Sequence, residues 1–240
     1  MIPHVIHYFW FGGTPLSKTA EQCIASWRKY LPDYEIKEWN ESNFDVNIIP
    51  FTAEAYKFKK YAFVSDYARL WVLYQYGGLY LDIDVEVVQS PLSIIEKGPF
   101  LGTEKSVAFN NDLYIAAGSL LGVEANMPFI KEMLSVYESS SFEETTINKR
   151  FTDKLIESGW QRNDEVSYVA GFTIYPVTYF SPLDWRTKKN RKSKNTYCIH
   201  WFNGSWTTKK GRFETFKSYL LKLTPDFLLI KYYNLKFGRF

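Results

Sequence analysis

Gly77-Gly78-Leu79-Tyr80-Leu81-Asp82-Ile83-Asp84-Val85 closes a long helix-like segment and opens a strand-like one. Successive strand side chains point to opposite faces. The pattern therefore predicts one apolar face of Leu79, Leu81, Ile83, Val85 and Val87, and an opposite face of Tyr80, Asp82, Asp84 and Glu86. The apolar row reads as core. The acidic row belongs at a rim or cleft, because unpaired buried carboxylates are costly. Two like charges roughly 6.6 Å apart along a strand repel unless a cation joins them. Hard divalent cations take several carboxylate oxygens and accept bound phosphates as further ligands. The residues leave two readings open, a metal site for a phosphorylated substrate and a solvated strand face. Asp-x-Asp alone favours the second.

Upstream, Thr52 to Tyr76 has a helical pattern, readable as two helices broken near Lys60, with Phe63, Tyr67, Leu70, Trp71 and Tyr74 as its apolar stripe. Gly77-Gly78 is the expected left-handed stop. Asp66 and Arg69 are neighbours on another face of that helix. Such a pair is usually a weak surface ion pair, but this helix leads straight to the carboxylates. Earlier, Ile2 to Phe11 reads as a buried strand ended by Gly12-Gly13, with Trp10 at its carboxyl end, where ligands bind in open α/β sheets. Ala20, Ile24, Trp27 and Leu31 mark a helix closed by Pro32, Tyr34 to Trp39 a second strand, and Asn40 to Pro50 a loop. Downstream, Leu113 to Val123 reads as a buried strand or tight backbone approach, Pro128 to Val136 and Phe151 to Ser158 as helices, and Val166 to Tyr179 as edge strands. Arg186 to Lys194 reads as a basic, mobile loop.

The 240 residues are ample for a buried core, and 46% hydrophobic with 23% charged residues describes a globular chain. Aromatic content of 19% suits a Tyr- and Trp-lined site or a partly apolar partner. Two distant cysteines, Cys23 and Cys198, exclude a disulfide framework or a CxxC metal site. No secretory leader is evident at Met1-Ile2-Pro3-His4-Val5, and no apolar run nears the roughly 18 residues of a membrane span. The expected location is the cytoplasm. The net charge of +3 hides an asymmetry, since Arg186 to Phe240 carries 14 Lys/Arg against only Glu214 and Asp226. A basic face of this kind suits phosphates or an anionic membrane. Nucleic acid is not the expected partner, because no recognition helix, zinc finger or RNP-type motif accompanies the charge.

A second cluster is Ile199-His200-Trp201-Phe202-Asn203-Gly204-Ser205-Trp206. A histidine at a strand end, followed by a glycine turn with Ser and Trp, supplies a metal ligand, a phosphate-binding hydroxyl and an aromatic lid, or else a packed histidine in an aromatic core. Imidazole with carboxylates suits Mn rather than Ca. His4 and His7 lack such surroundings.

Four motifs occur in order: Ile6 to Gly13, Ser65-Asp66-Tyr67-Ala68-Arg69, Gly77 to Asp84, and His200 to Trp206. Together they resemble the DXD-type sugar transferases of glycosyltransferase family 32, which include α-mannosyltransferases and capsular-polysaccharide enzymes and are distantly similar to the large bacterial glucosylating toxins. The resemblance covers residues 1–105 and 170–206. It implies a GT-A fold, Rossmann-like α/β, with a helical and aromatic C-terminal extension: a catalytic domain at 1–210 and a basic segment at 211–240. It also implies retaining transfer of a hexose from a UDP- or GDP-sugar with Mn2+ or Mg2+. Carried over motif by motif, Trp10 is similar to the aromatic that stacks on the nucleobase. Asp66 and Arg69 are similar to the pair that holds the donor sugar, and Tyr80 and Asp82 to ribose or sugar contacts. Asp84 is similar to the metal ligand that Asp82 accompanies, His200 to a late metal ligand, and Ser205 and Trp206 to the loop over the diphosphate. Where many relatives carry an Asn or another polar residue against the sugar, this chain has Ala116-Ala117-Gly118-Ser119.

Cleaving a sugar–diphosphate bond builds charge on the leaving phosphate, which a divalent ion stabilises. A glycosidase would instead place its carboxylates on separate elements flanking the scissile bond. The competing classes are a metal-dependent phosphoesterase or nucleotidyltransferase and a non-catalytic nucleotide-sugar-binding module. The expected acceptor is a saccharide or lipid-linked saccharide, in surface polysaccharide synthesis. Phe213, Phe216, Leu220 and Leu223 repeat at helical spacing with Lys217 and Lys222 interleaved, and a basic aromatic tail follows. That segment either packs on the domain or lies on the anionic inner face of the membrane.

Overall fold

The computed structural model describes residues 1–106, 112–202, 221 and 224–237. In chain order the elements are β1 (Val5–Phe9), α1 (Lys18–Tyr30), β2 (Glu35–Trp39), α2 (Pro50–Lys57), α3 (Tyr61–Tyr76), β3 (Gly78–Tyr80), β4 (Val85–Val87), α4 (Leu92–Ile95), β5 (Phe100–Lys105), β6 (Leu113–Ile115), β7 (Leu121–Val123), α5 (Pro128–Glu138), α6 (Ile147–Glu157), β8 (Ser167–Val169), β9 (Phe172–Tyr175), α7 (Val177–Phe180), β10 (Cys198–His200) and α8 (Asp226–Phe237). The expected α/β class is what the structure has. The central sheet runs β2-β1-β3-β7-β5-β9-β8, with β6 paired to β5, and β4 and β10 form a separate two-stranded ribbon.

Alternation along the strands feeds two cores, one on each face of the sheet. Ile6, Tyr8, Leu79, Phe100 and Tyr175 join Trp27 of α1 and Phe180 of α7. Phe9, Tyr80, Leu101 and Ile174 face α2, α3, α5 and α6. β1 pairs in parallel with both β2 and β3, while β7 is antiparallel to β3 and β5. β5 is therefore parallel to β3, and β9 is parallel to β5. The carboxyl ends of β1, β2, β3, β5 and β9 consequently share one sheet edge. With β1 between β2 and β3, the chain crosses over in opposite directions on either side of β1, which makes this edge a switch point of the kind where ligands bind.

The break near Lys60 and the paired glycines lie where the pattern put them, but other features differ. The acidic stretch is not one strand. β3 ends at Tyr80, Asp82 N–H donates to Gly118 O at 2.8 Å, and Val85 N–H closes a turn on Asp82 O at 3.0 Å. The apolar row survives the turn: Leu79, Leu81, Val85 and Val87 are all buried in one core, with Ile83 partly so. Helix α3 is buried nearly all round rather than along one stripe, because it lies between the sheet and α5, and its buried residues include Val64, Asp66, Ala68 and Arg69. β9 is not an edge strand, since β5 and β8 flank it. The basic loop after Trp185 is held in place: buried Asp184 accepts the backbone N–H groups of Arg186 and Thr187, each at 2.8 Å.

Gly77 adopts φ 63° and ψ −163°, outside the left-handed helical well that was expected, and Gly78 follows at φ 107°. A Cβ on Gly77 would lie 2.7 Å from Ala125 N. His7 secures this turn. Trp39 Nε1–H donates to His7 Nδ1 at 3.1 Å, which makes Nδ1 an acceptor, because an indole N–H only donates. Nε2 therefore carries the proton and donates to Gly77 O at 3.0 Å. His7, unremarkable by its sequence neighbours, clamps the turn into the acidic stretch.

Burial lowers the His7 pKa to about 4 from 6.5, against the pull of the Gly77 carbonyl and helped by Lys37. The folded protein thus binds this proton more weakly than the unfolded chain. The resulting stability is complete above pH 6.5 and is lost as pH falls toward 4. His7→Gln, neutral throughout, is expected to be less stable than the wild type at about pH 7.5. The gap should narrow by about 2–3 kcal/mol near pH 4.5. Urea unfolding of both proteins at the two pH values measures it; a gap that stays constant rules out the neutral clamp.

Candidate active site

Asp82 follows β3 at the carboxyl edge, and its carboxylate is gripped from three sides. Tyr80 O–H donates to Oδ1 at 2.5 Å, Arg69 Nη2 lies 3.4 Å from the same oxygen, and Oδ2 rests over Gly118. A Cβ on Gly118 would sit 2.0 Å from that Oδ2. The small residues of 116–119 therefore have a steric reason. They let a backbone loop pass directly beneath the Asp82 carboxylate.

Arg69 is the centre of the support. Nε donates to Ser65 O at 3.2 Å, Nη1 to Ala117 O at 3.1 Å and Nη2 to Asp66 Oδ1 at 3.0 Å. Its guanidinium carbon lies 4.3 Å over the Tyr80 ring, a cation–π contact strengthened by burial. Far from being a surface pair, Asp66 and Arg69 are both buried, at 6% and 4% exposure. Asp66 Oδ2 also accepts the Ile147 N–H at the start of α6, at 3.3 Å. Burial raises the Asp66 pKa to about 6, with Arg69 opposing and Asp82 adding to the rise.

The β4–β10 ribbon brings in the second motif. His200 pairs with Val85 in antiparallel register, and Trp201 N–H donates to Asp84 O at 3.0 Å. His200 Nε2 thereby lies 3.1 Å from Asp84 Oδ1 and 3.8 Å from Asp82 Oδ2. Burial alone would lower the His200 pKa; Asp84, then Asp82 and Glu104, outweigh it and raise it. Phe202, at φ 49°, stacks on the imidazole with centroids 3.9 Å apart. Lys188 Nζ donates to the carbonyls of Trp201 and Phe202 at 2.8 and 3.2 Å.

Of the residues singled out from sequence, the structure brings Asp66, Arg69, Tyr80, Asp82, Asp84 and His200 into one connected group. Trp10 stands on the same edge beyond β1, partly exposed, its indole N–H donating to Thr14 O at 2.5 Å. Ser205 and Trp206 lie outside the described residues. Two contributors, Phe202 and Lys188, were given no role from sequence, while Gly118 makes the tight backbone approach that was one reading of its stretch. Local sequence does not mark either role: Phe202 folds back onto His200 at a positive φ, and Lys188 acts through backbone carbonyls. Among the described residues no three His, Cys, Asp or Glu side chains form a ready-made metal cage. Asp84 and His200 instead face one another across a hydrogen bond, with Asp82 beside them.

Residues 17–101 match the family described as the glycosyltransferase sugar-binding region containing DXD motif. Over that stretch the chain is similar to DXD-type glycosyltransferases. It is 26% identical over 224 residues to an uncharacterized glycosyltransferase of Acanthamoeba polyphaga mimivirus, an alignment that spans 86% of this chain and 84% of the viral protein. It is also 27% identical over 126 residues to inositol phosphoceramide mannosyltransferase 1 of Schizosaccharomyces pombe, covering 48% of this chain and 38% of the yeast protein. Among solved structures it is similar to the PaToxG glycosyltransferase, with a TM-score of 0.47 and 21% identity over 65% of this chain and 68% of the other. The DXD within the matched stretch is Asp82-Ile83-Asp84.

Because Gly118 has no positive φ among the glycines that do, Gly118→Ala introduces a steric change without backbone strain. The displaced Asp82 carboxylate is expected to lower glycosyl transfer by about 100-fold, with a melting temperature within a few degrees of wild type. Transfer at the wild-type rate would show that the seat of Asp82 does not matter to the chemistry.

Proposed function

We propose that this glycosyltransferase moves a hexose from a UDP- or GDP-sugar to a saccharide or lipid-linked saccharide acceptor, with retention and with Mn2+ or Mg2+, in surface polysaccharide synthesis. One observation carries this reading: Asp82, Asp84 and His200 converge at the carboxyl edge of the sheet, from motifs more than 110 residues apart. Asp84 Oδ1 and His200 Nε2 are a hard oxygen and an imidazole nitrogen side by side, a donor set that fits Mn or Mg when phosphate oxygens complete the shell. Such an ion, when bound, supplies charge stabilisation for a leaving diphosphate.

The chain's own residues do the rest by orientation. Arg69 and Tyr80 hold the Asp82 carboxylate in place, so it need not reorganise when ligand arrives. We assign Asp82 and Asp84 to the metal and donor phosphates with His200 as a further ligand, and Asp66 and Arg69 to the donor-sugar side of the site. Tyr80 and Asp82 serve the ribose or sugar, Trp10 the nucleobase, and Ser205 and Trp206 the diphosphate. Residues 1–210 make up the GT-A catalytic domain, and 211–240 meet the acceptor or the membrane.

That last assignment draws on α8. Its Leu229 and Tyr233 are buried, Tyr233 O–H accepts from Arg186 Nε at 2.9 Å, and Asp226 accepts from Lys189 Nζ at 2.6 Å. Phe227, Leu228, Tyr232 and Leu235 are exposed on the same helix, along with Lys231 and Lys236. Within the tail, α8 is therefore a tethered helix that both packs and presents apolar and basic side chains. The Phe213 to Leu223 repeat lies, except for Leu221, outside the described residues. No described helix is long and apolar enough to cross a membrane. A helix of this composition lies in an anionic interface, each basic residue contributing about 1 kcal/mol.

Two measurements test the proposal. With Mn and a panel of UDP- and GDP-sugars, the wild type should release nucleoside diphosphate and glycosylate a saccharide, while Asp84→Ala and chelator-treated wild type lose at least about 99% of that rate. Nucleoside monophosphate as product, or full activity of Asp84→Ala in chelator, would sink the metal-assisted transfer. In co-sedimentation, the full chain should bind vesicles containing anionic lipid in a salt-sensitive way, and Phe227→Ser with Leu235→Ser should weaken binding several-fold. Binding that ignores lipid charge excludes the membrane assignment.

A further inference from the structure

Glu104 sits at the carboxyl end of β5, on the sheet edge that also carries Asp82. Its Oε1 accepts from Asn148 Nδ2 at 2.9 Å. Its Oε2 is shut off from solvent and has no hydrogen-bond partner. A buried acceptor without a donor is costly and rare. Most such atoms in folded chains are met by something, and here the neighbourhood indicates what.

Asn148 does more than hold Glu104. Its Oδ1 accepts the Ala117 N–H at 3.0 Å, while Ala117 O accepts from Arg69 at 3.1 Å and the next residue, Gly118, underlies Asp82. Glu104 is thus wired through one asparagine and one peptide to the support of the DXD. It is close enough to His200 and Asp82 for each to feel its charge. The loop 116–119 offers no side chain of its own for hydrogen bonding to a ligand. Ala116, Ala117 and Gly118 have no polar side-chain atoms, and Ser119 Oγ is buried and donates to Phe180 O at 2.6 Å. A ligand hydroxyl that reaches Glu104 Oε2 would meet a buried acceptor with no partner of its own.

We propose that Glu104 is a specificity-determining residue of the transfer site, accepting through Oε2 a hydrogen bond from a sugar hydroxyl, with Asn148 as its positioning residue. This rests on the glycosyl-transfer reading above. An anionic acceptor fixed in a water-excluded place distinguishes sugars by where they carry a hydroxyl. The analogue lacking it leaves the carboxylate oxygen unpaired and is rejected strongly. The hydroxyl belongs either to the donor hexose or to the acceptor, and the two sources separate by experiment.

Glu104→Gln keeps the shape but turns the open acceptor into an amide whose carbonyl is needed by Asn148. Glu104→Asp keeps the charge and withdraws the oxygen, and serves if the first variant does not fold. Calorimetry with Mn compares UDP, GDP, UDP-glucose and GDP-mannose on wild type and variant, alongside steady-state kinetics with a saccharide acceptor. The expected result is diphosphate affinity within twofold of wild type, with either nucleotide-sugar affinity down about tenfold or acceptor KM up about tenfold. The first outcome assigns the hydroxyl to the donor and the second to the acceptor. Unchanged values throughout, or equal weakening of diphosphate and nucleotide-sugar, overturn the proposal and leave Glu104 a structural residue. Wild type that binds no nucleotide-sugar removes the glycosyl-transfer reading itself, before any variant is compared, and the proposal falls with it.

Discussion

The buried guanidinium of Arg69 is the interaction on which the site depends. It gathers one carboxylate from its own helix, one from the turn after β3, and carbonyls from Ser65 and Ala117. The partners come from three stretches of chain, α3 itself, the acidic turn and the 116–119 loop, so one cation registers these three against one another. Taking a charge out of water is expensive, and the arrangement persists because hydrogen bonds and opposite charges surround it. Breaking such a set by removing one partner costs about 3–5 kcal/mol. The site is therefore part of the core rather than an attachment to it.

The second constraint is the β4–β10 ribbon. Only six residues pair in it, yet they bring His200 to Asp84. It is seated by α1, where Trp27 Nε1 donates to Val85 O at 2.7 Å and Ser26 Oγ accepts from Val87 N–H at 2.9 Å. The first helix of the chain, with no residue in the site, thus sets the position of β4, which follows directly on Asp84 and pairs with His200.

The two devices explain how a polar centre survives in a chain this rich in aromatic residues. Aromatic rings close around it without displacing it: Tyr80 lies under Arg69 and donates to Asp82, and Phe202 covers His200. Each ring presents either a hydroxyl or a face to the charged groups, which an aliphatic side chain could not do. The basic loop after Trp185 extends the same economy outward, with Lys188 holding the carbonyls that follow His200 and Lys189 holding α8.

By itself the sequence determined the α/β class, the order of β1, α1 and β2, the two helices divided near Lys60, and the identity of most residues in the site. Those features are local: periodicity of apolar residues, a proline or paired glycines at the boundary, and acidic residues where a core pattern ends. Asp66 with Arg69, Asp82 with Asp84, and His200 were legible because helix and strand spacing, together with their order along the chain, carries that information. What only the tertiary structure decided was how they meet. The alternation of Leu79 to Val87 reads as an unbroken strand, yet Gly118 O and the Asp82–Val85 turn interrupt it, since a hydrogen bond from a residue 36 positions away leaves no mark on local pattern. Glu104 and Asn148 stayed silent for the same reason. A side chain's partner across the sheet edge is set by strand order and register, and those are settled by long-range packing rather than by any neighbour in sequence.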